Sequence, residues 1–152
     1  MLLNRPTVVV ADADPISRTI LQNCLVDAGF PVRVAGTAED VLVLCDMEPP
    51  DALIVDGPFP DMDAFELCDR VRHETRDFDV TVIFVMEVSD DMTRAYLNQM
   101  VDFAGGDYFV AKPCDTHWLI RLLDTIPRRK STSSDRSRKS SSIPAGSRTS
   151  GA

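Results

Sequence analysis

Four short runs of β-branched and aliphatic residues, each followed by a longer amphipathic stretch, limit what this chain can fold into more than any other feature. They are Thr7-Val8-Val9-Val10-Ala11, Ala52-Leu53-Ile54-Val55, Val80-Thr81-Val82-Ile83-Phe84-Val85 and Tyr108-Phe109-Val110, with a weaker fifth at Val32-Arg33-Val34-Ala35. Their apolar character is nearly continuous, which marks strands covered on both faces rather than half-exposed hairpins. The segments between them are too long for hairpin turns and carry helical patterns, as parallel crossovers require.

The helix signals fall where that scheme needs them. Asp14 is placed as an N-cap and Pro15 as the first helical residue, where a missing N–H costs nothing. Ile16, Ile20 and Cys24 then recur on one face, with Leu21, Leu25 and Ala28 alongside and Gly29 as the stop. A second helix follows the cap Thr37 and ends before Pro49-Pro50. A third is expected over 64–76, burying Phe65, Leu67, Cys68 and Val71, and a fourth over 90–100, with Met92, Tyr96 and Met100 four apart. The fifth is expected over 116–126, burying Leu119, Ile120, Leu122 and Leu123, and stops at Pro127. Five β-α units in succession predict an α/β fold: a five-stranded parallel sheet, doubly wound, with right-handed crossovers.

Charge divides the chain in two. Residues 1–127 carry nine basic and 23 acidic residues, a net of −14, whereas residues 128–152 carry seven basic residues and one acid, a net of +6. The acidic body argues against nucleic acid as a partner of the folded part. The tail is Ser- and Arg-rich, with Ile143 as its only large aliphatic residue, and is expected to be disordered. Domain limits of 1–127 and 128–152 follow, and nucleic acid or an acidic surface is expected to be met only through the tail. No apolar stretch approaches the roughly 20 residues that cross a bilayer, and the N-terminus lacks a signal-peptide pattern. The expected location is the cytoplasm, with no membrane partner. Cys24, Cys45, Cys68 and Cys114 lie far apart without a C-x-x-C pair, which points to reduced, mostly buried thiols rather than a zinc site.

In open parallel sheets ligands bind beyond the carboxyl ends of the strands. Asp12 follows the first strand, Asp56 the third, and Lys112 lies just past the fifth. Two carboxylates and an ammonium on one sheet edge suit a divalent cation together with an anion, and Mg²⁺ is commonly held by one or two carboxylates plus phosphate oxygens. A carboxylate there can act as a nucleophile toward phosphorus, with the cation and Lys112 offsetting charge on the transferring oxygens.

At this point the motifs Val10-Ala11-Asp12-Ala13-Asp14-Pro15, Asp56-Gly57-Pro58-Phe59-Pro60-Asp61-Met62-Asp63-Ala64-Phe65 and Gly105-Gly106-Asp107-Tyr108-Phe109-Val110-Ala111-Lys112-Pro113 come together. In this order they resemble the bacterial response-regulator receiver domains of two-component signalling, over about residues 6–126. The resemblance implies the flavodoxin-like receiver fold and Asp56 as the phosphoacceptor, served by a histidine kinase or phosphotransfer protein. It implies Mg²⁺ held by Asp12, Asp56 and the backbone carbonyl of Pro58, Lys112 against the phosphoryl group, and a cis peptide before Pro113. It also implies phosphorelay signalling without an output domain of the chain's own, through the surface of the fourth helix, fifth strand and fifth helix, toward a downstream protein or a second copy in a homodimer. Tyr96, Phe109 and Trp118 fall in that region, where aromatics at such spacing are expected to pack inward.

Two positions depart from the family pattern. The second acid after the first strand, usually the direct metal ligand, is Ala13, so weak Mg²⁺ binding is expected; Asp14 is a further candidate ligand as well as a helix cap. The hydroxyl residue that ends the fourth strand is Met86, followed by Glu87. In the family that hydroxyl moves toward the phosphate and an aromatic residue, here Phe109, follows it. Met86 and Phe109 are therefore the switch positions, and their chemistry opens an alternative reading as a phosphorylation-independent adaptor or dimerisation module. Asp12-Ala13-Asp14 also resembles the D-x-D motif of haloacid-dehalogenase-like phosphohydrolases. That reading leaves Asp56 and its Pro-x-Met-Asp continuation unexplained, so the chain is expected not to be an enzyme beyond its own phosphorylation and dephosphorylation.

Overall fold

The computed structural model describes residues 5–74 and 79–128. The basic tail beyond Arg128 and the expected end of the third helix at Arg76 lie outside the described residues. Five strands, β1 (Val8–Asp12), β2 (Val32–Ala35), β3 (Ala52–Asp56), β4 (Thr81–Met86) and β5 (Tyr108–Ala111), form one parallel sheet in the order β2-β1-β3-β4-β5. Between and after them lie α1 (Pro15–Asp27), α2 (Ala38–Met47), α3 (Ala64–Glu74), α4 (Asp91–Ala104) and α5 (Thr116–Asp124). The expected doubly wound (β-α)5 architecture is what forms.

Alternate strand residues feed two cores. Val8, Val10, Ile54, Ile83 and Val85 point to the side covered by α1 and α5, where Leu25, Leu119 and Leu123 meet them. Val9, Ala11, Leu53, Val55, Val82 and Phe84 point to the other side, against α2, α3 and α4. Each central strand is thus wrapped on both faces, which is why its sequence reads as an unbroken apolar run.

The helix faces differ from expectation in two places. In α1 the inward stripe is Leu21, Leu25 and Ala28, while Ile16 and Ile20 are exposed. In α4, Met92 and Tyr96 are exposed; Val101 and Ala104 are buried instead, and the helix runs on to a left-handed cap at Gly105 (φ 91°). A side chain at Gly105 would be strained in that conformation.

Candidate functional site

Strand order reverses direction between β1 and β3, because the chain winds outward to β2 from β1 and outward to β4 and β5 from β3. Crossovers leave the sheet on opposite sides there and open a crevice at the carboxyl edge. Asp12 and Asp56 are the last residues of those two strands and are register partners, so both carboxylates stand at the crevice. The β5 end brings in Lys112, whose Nζ lies 2.8 Å from Asp56 Oδ1, and whose backbone N–H donates to the carbonyl of Met86 at 2.9 Å. The three charged residues picked out from sequence are therefore brought to one place.

Their protonation is interdependent. Burial pushes the Asp56 carboxyl above its ordinary value, and the neighbouring Asp12 adds to this, while the hydrogen bond and charge of Lys112 act against it. For Lys112 burial opposes the charged form, but the Asp56 carboxylate outweighs it, with Asp12 and Glu87 adding, so the ammonium is held above its usual range.

Asp12 is 6% exposed and held from several directions. Its Oδ1 accepts from the Asp14 backbone N–H at 2.9 Å and its Oδ2 from the Ser17 hydroxyl at 2.6 Å. Arg18 Nη1 donates to its main-chain carbonyl at 2.9 Å. Asp14, the additional candidate ligand, turns its own Oδ1 to the Ile16 N–H at 3.2 Å and caps α1. Ala13 is half-buried and packs against the core on the α2–α4 side.

The loop after β3 carries Pro58, and the one after β5 carries Pro113. The peptides Gly57-Pro58 and Lys112-Pro113 are both cis. Phe59 and Met62 close the loop on each other through reciprocal backbone hydrogen bonds. Asp61 reaches across to α2, where its two oxygens accept from the Ala38 and Glu39 backbone N–H groups, each at 3.0 Å. These bonds hold the Asp61 carboxyl below its usual range, the Ala38 contact being the larger cause. Sequence reasoning missed both Asp61 and Ser17. Ser17 could have been found, since a residue one turn into a helix can reach back to the preceding strand end; nothing local marks Asp61.

Met86 and Phe109 are half-buried and pack against the same core cluster. The other two aromatics expected to turn inward do not: Tyr96 and Trp118 are exposed. Met92 and Phe103 on α4 and Tyr108 on β5 are exposed as well, Phe103 being 90% exposed. In α4 the Met92-Tyr96 stripe and the buried Val101 and Ala104 lie on different faces, and period alone does not say which one docks.

Two carboxylates at adjacent strand ends meet the minimum with which Mg²⁺ is commonly held. Among the described residues no third acid, histidine or cysteine joins them. The residues therefore fit a hard divalent cation whose remaining coordination falls to backbone carbonyl, phosphate and water. No helix among the described residues is long and apolar enough to cross a membrane.

Comparison with known proteins agrees with the geometry. The family model described as "Response regulator receiver domain" matches residues 8–124. An uncharacterised 14.6 kDa protein of Leptolyngbya boryana is 34% identical over 116 residues, covering 76% of this chain and 86% of that protein. The transcriptional regulatory protein AfsQ1 of Streptomyces coelicolor is 28% identical over 125 residues, covering 82% of this chain and 52% of the relative. The chain thus spans about half the length of most of the curated relatives it matches. Among solved structures, a putative response regulator from Chloroflexus aurantiacus is 26% identical with a TM-score of 0.72, covering 80% of this chain and 97% of that one. The fold is also that of chemotaxis protein CheY4 of Vibrio cholerae, 20% identical with a TM-score of 0.71, covering 81% of this chain and 99% of that one.

Proposed function

The chain belongs to the response regulator receiver domain family, and we propose that it accepts a phosphoryl group on Asp56 from a histidine kinase or phosphotransfer protein and signals through protein–protein contacts. Receiver domains of this family are signalling modules of two-component systems, for which phosphorylation and Mg²⁺ are typical. The observation that carries the proposal is the 2.8 Å contact between Lys112 and Asp56 at the crevice, with Asp12 beside them.

Each residue has a separable task. An Asp56 carboxylate oxygen forms a bond to phosphorus as the bond from phosphorus to the donor breaks, and the electron pair of that bond leaves with the donor. Lys112, already paired with Asp56, transfers its hydrogen bond to the incoming phosphoryl oxygens and meets charge that builds on them. Asp12, Asp56 and the Pro58 carbonyl would hold Mg²⁺, which would supply positive charge to the transferring group. With Ala13 in place of a second acid the affinity is weak, and Asp14 stays on the helix end it caps.

A second reading is favoured by one feature: Met86 presents no hydroxyl at the end of β4, so the phosphoryl group has no donor there to draw. A switch needs contacts that differ between its two states. On this reading the domain is a phosphorylation-independent adaptor or dimerisation unit. Incubation with Mg²⁺ and acetyl phosphate, followed by intact mass, separates the two. A gain of one phosphoryl group that is lost in Asp56→Asn and in the presence of chelator is expected. Absence of any gain, also with a phosphorylated donor protein, would leave the adaptor.

A further inference from the structure

Resting on the Mg²⁺ site just proposed, the geometry points to Ser17 as a positioning residue for that site, one that orients Asp12, the only acid β1 places in the crevice. We assign it this role from three observations. First, the Ser17 hydroxyl donates to Asp12 Oδ2 at 2.6 Å, a short, charge-assisted bond. Second, the other oxygen of that carboxylate is fixed at the same time by the Asp14 N–H at 2.9 Å, so the carboxylate is held at both ends and its plane is set. Third, the next residue grips the same strand end from behind. Arg18 Nη1 reaches the Asp12 carbonyl at 2.9 Å and passes close over Gly36, where a Cβ would lie 2.6 Å from Nη1 and push the guanidinium aside.

The need for such positioning follows from Ala13. A site with two neighbouring acids after β1 can lose some order in one of them and keep its cation. Here a single carboxylate must face Asp56 in the right orientation, and a free carboxylate would lose rotamer entropy each time it bound. Ser17 and the Asp14 N–H bear that ordering in advance of the ligand. Each carboxylate oxygen has two lone-pair directions, so a hydrogen bond to one leaves the other for the cation. Groups of this kind behind a metal ligand commonly change affinity by about 10- to 100-fold when removed. Ser17 touches neither phosphorus nor cation, and its effect runs through Asp12.

The test is Mg²⁺ titration of the full chain by calorimetry, with Ser17→Ala and Ser17→Thr beside the parent. The hydroxyl-free variant is expected to bind Mg²⁺ about tenfold more weakly, at the low end of that range. The threonine variant, which restores the hydroxyl, should return to within a few-fold of the parent. Thermal melts without Mg²⁺ show whether each variant is folded. An alanine variant within twofold of the parent, or tighter, overturns the role, as does a threonine variant as weak as alanine. Acetyl-phosphate labelling of the parent runs in parallel. A labelled parent with an unchanged alanine variant defeats only the Ser17 assignment. A parent that neither labels nor binds Mg²⁺ defeats the receiver chemistry itself, and Ser17 with it.

Discussion

Burial raises the Asp56 carboxyl, Lys112 pulls it down, and the charge of Asp12 pushes it up again, with a net displacement upward. The folded form therefore holds its proton more tightly than the unfolded chain does. For such a group the stabilising contribution is complete below the unfolded value of 3.8 and is lost as pH rises through the folded one. Ionising Asp56 in the fold therefore carries a cost, set first by burial and then by the charge of Asp12. Replacing Asp56 by Asn removes that cost while leaving an oxygen for Lys112 to bond. Without divalent cation, Asp56→Asn is expected to melt a few degrees above the parent at pH 7. The gap should shrink as the pH is lowered toward 4. A parent more stable than the variant at pH 7 would mean that the Lys112 contact outweighs burial. The three charged residues were legible from sequence because each directly ends or follows an apolar run, and parallel topology collects such positions at one edge. Ser17 and Asp61 were not, since the partner of each is set by how a helix docks.

Strands were easier to read than helix faces, and α1 shows why. Its sequence carries two apolar stripes, Ile16-Ile20-Cys24 and Leu21-Leu25-Ala28, and a 3.6-residue period cannot say which one meets the sheet. Docking against α5 and β2 chose the second. At α4 the Gly105 stop was present in the sequence, but Gly105-Gly106 also suits a lead-in to β5, and the last helical turn went unread. Contacts between elements matter in the same way at the loop after β3, which is tied to α2 by Asp61. The Asp61 carboxyl is lowered by the Ala38 and Glu39 amides, so its contribution is present above the unfolded value of 3.8 and is lost as pH falls through the folded one. Asp61→Ala should speed hydrogen exchange at the Ala38 and Glu39 amides at neutral pH and flatten the loss of stability below about pH 4. Unchanged exchange at both amides would show that Thr37, whose hydroxyl bonds the Asp40 N–H, caps α2 without help.

At the scale of the molecule, the crevice and the exposed hydrophobic residues meet at β5, which opens on Tyr108 and is followed by Lys112. Met86 accepts from the Lys112 N–H, pairs with Ala111 in register, and packs with Phe109 against the core cluster that also takes in α4. Lys112 is thus bonded to the end of β4 next to β5, while Met92, Tyr96, Phe103, Tyr108 and Trp118 are exposed on α4, β5 and α5. Exposed apolar side chains of this size, where they adjoin, are candidates for an interaction surface. Residues 1–127 carry a net charge of −14, so two copies meeting through it would repel at long range and attract only through apolar contact. Self-association driven this way should strengthen as salt screens the repulsion, the reverse of an electrostatic tether. Sedimentation velocity on the phosphorylated chain, at low salt and at about 0.5 M, where the Debye length falls to roughly 4 Å, is the measurement. The dimer fraction is expected to rise with salt and to vanish in Phe103→Glu, with phosphoryl uptake unchanged. A chain that stays monomeric throughout would assign the surface to a different protein. An association that weakens with salt would instead point to the basic tail meeting the acidic body of another copy.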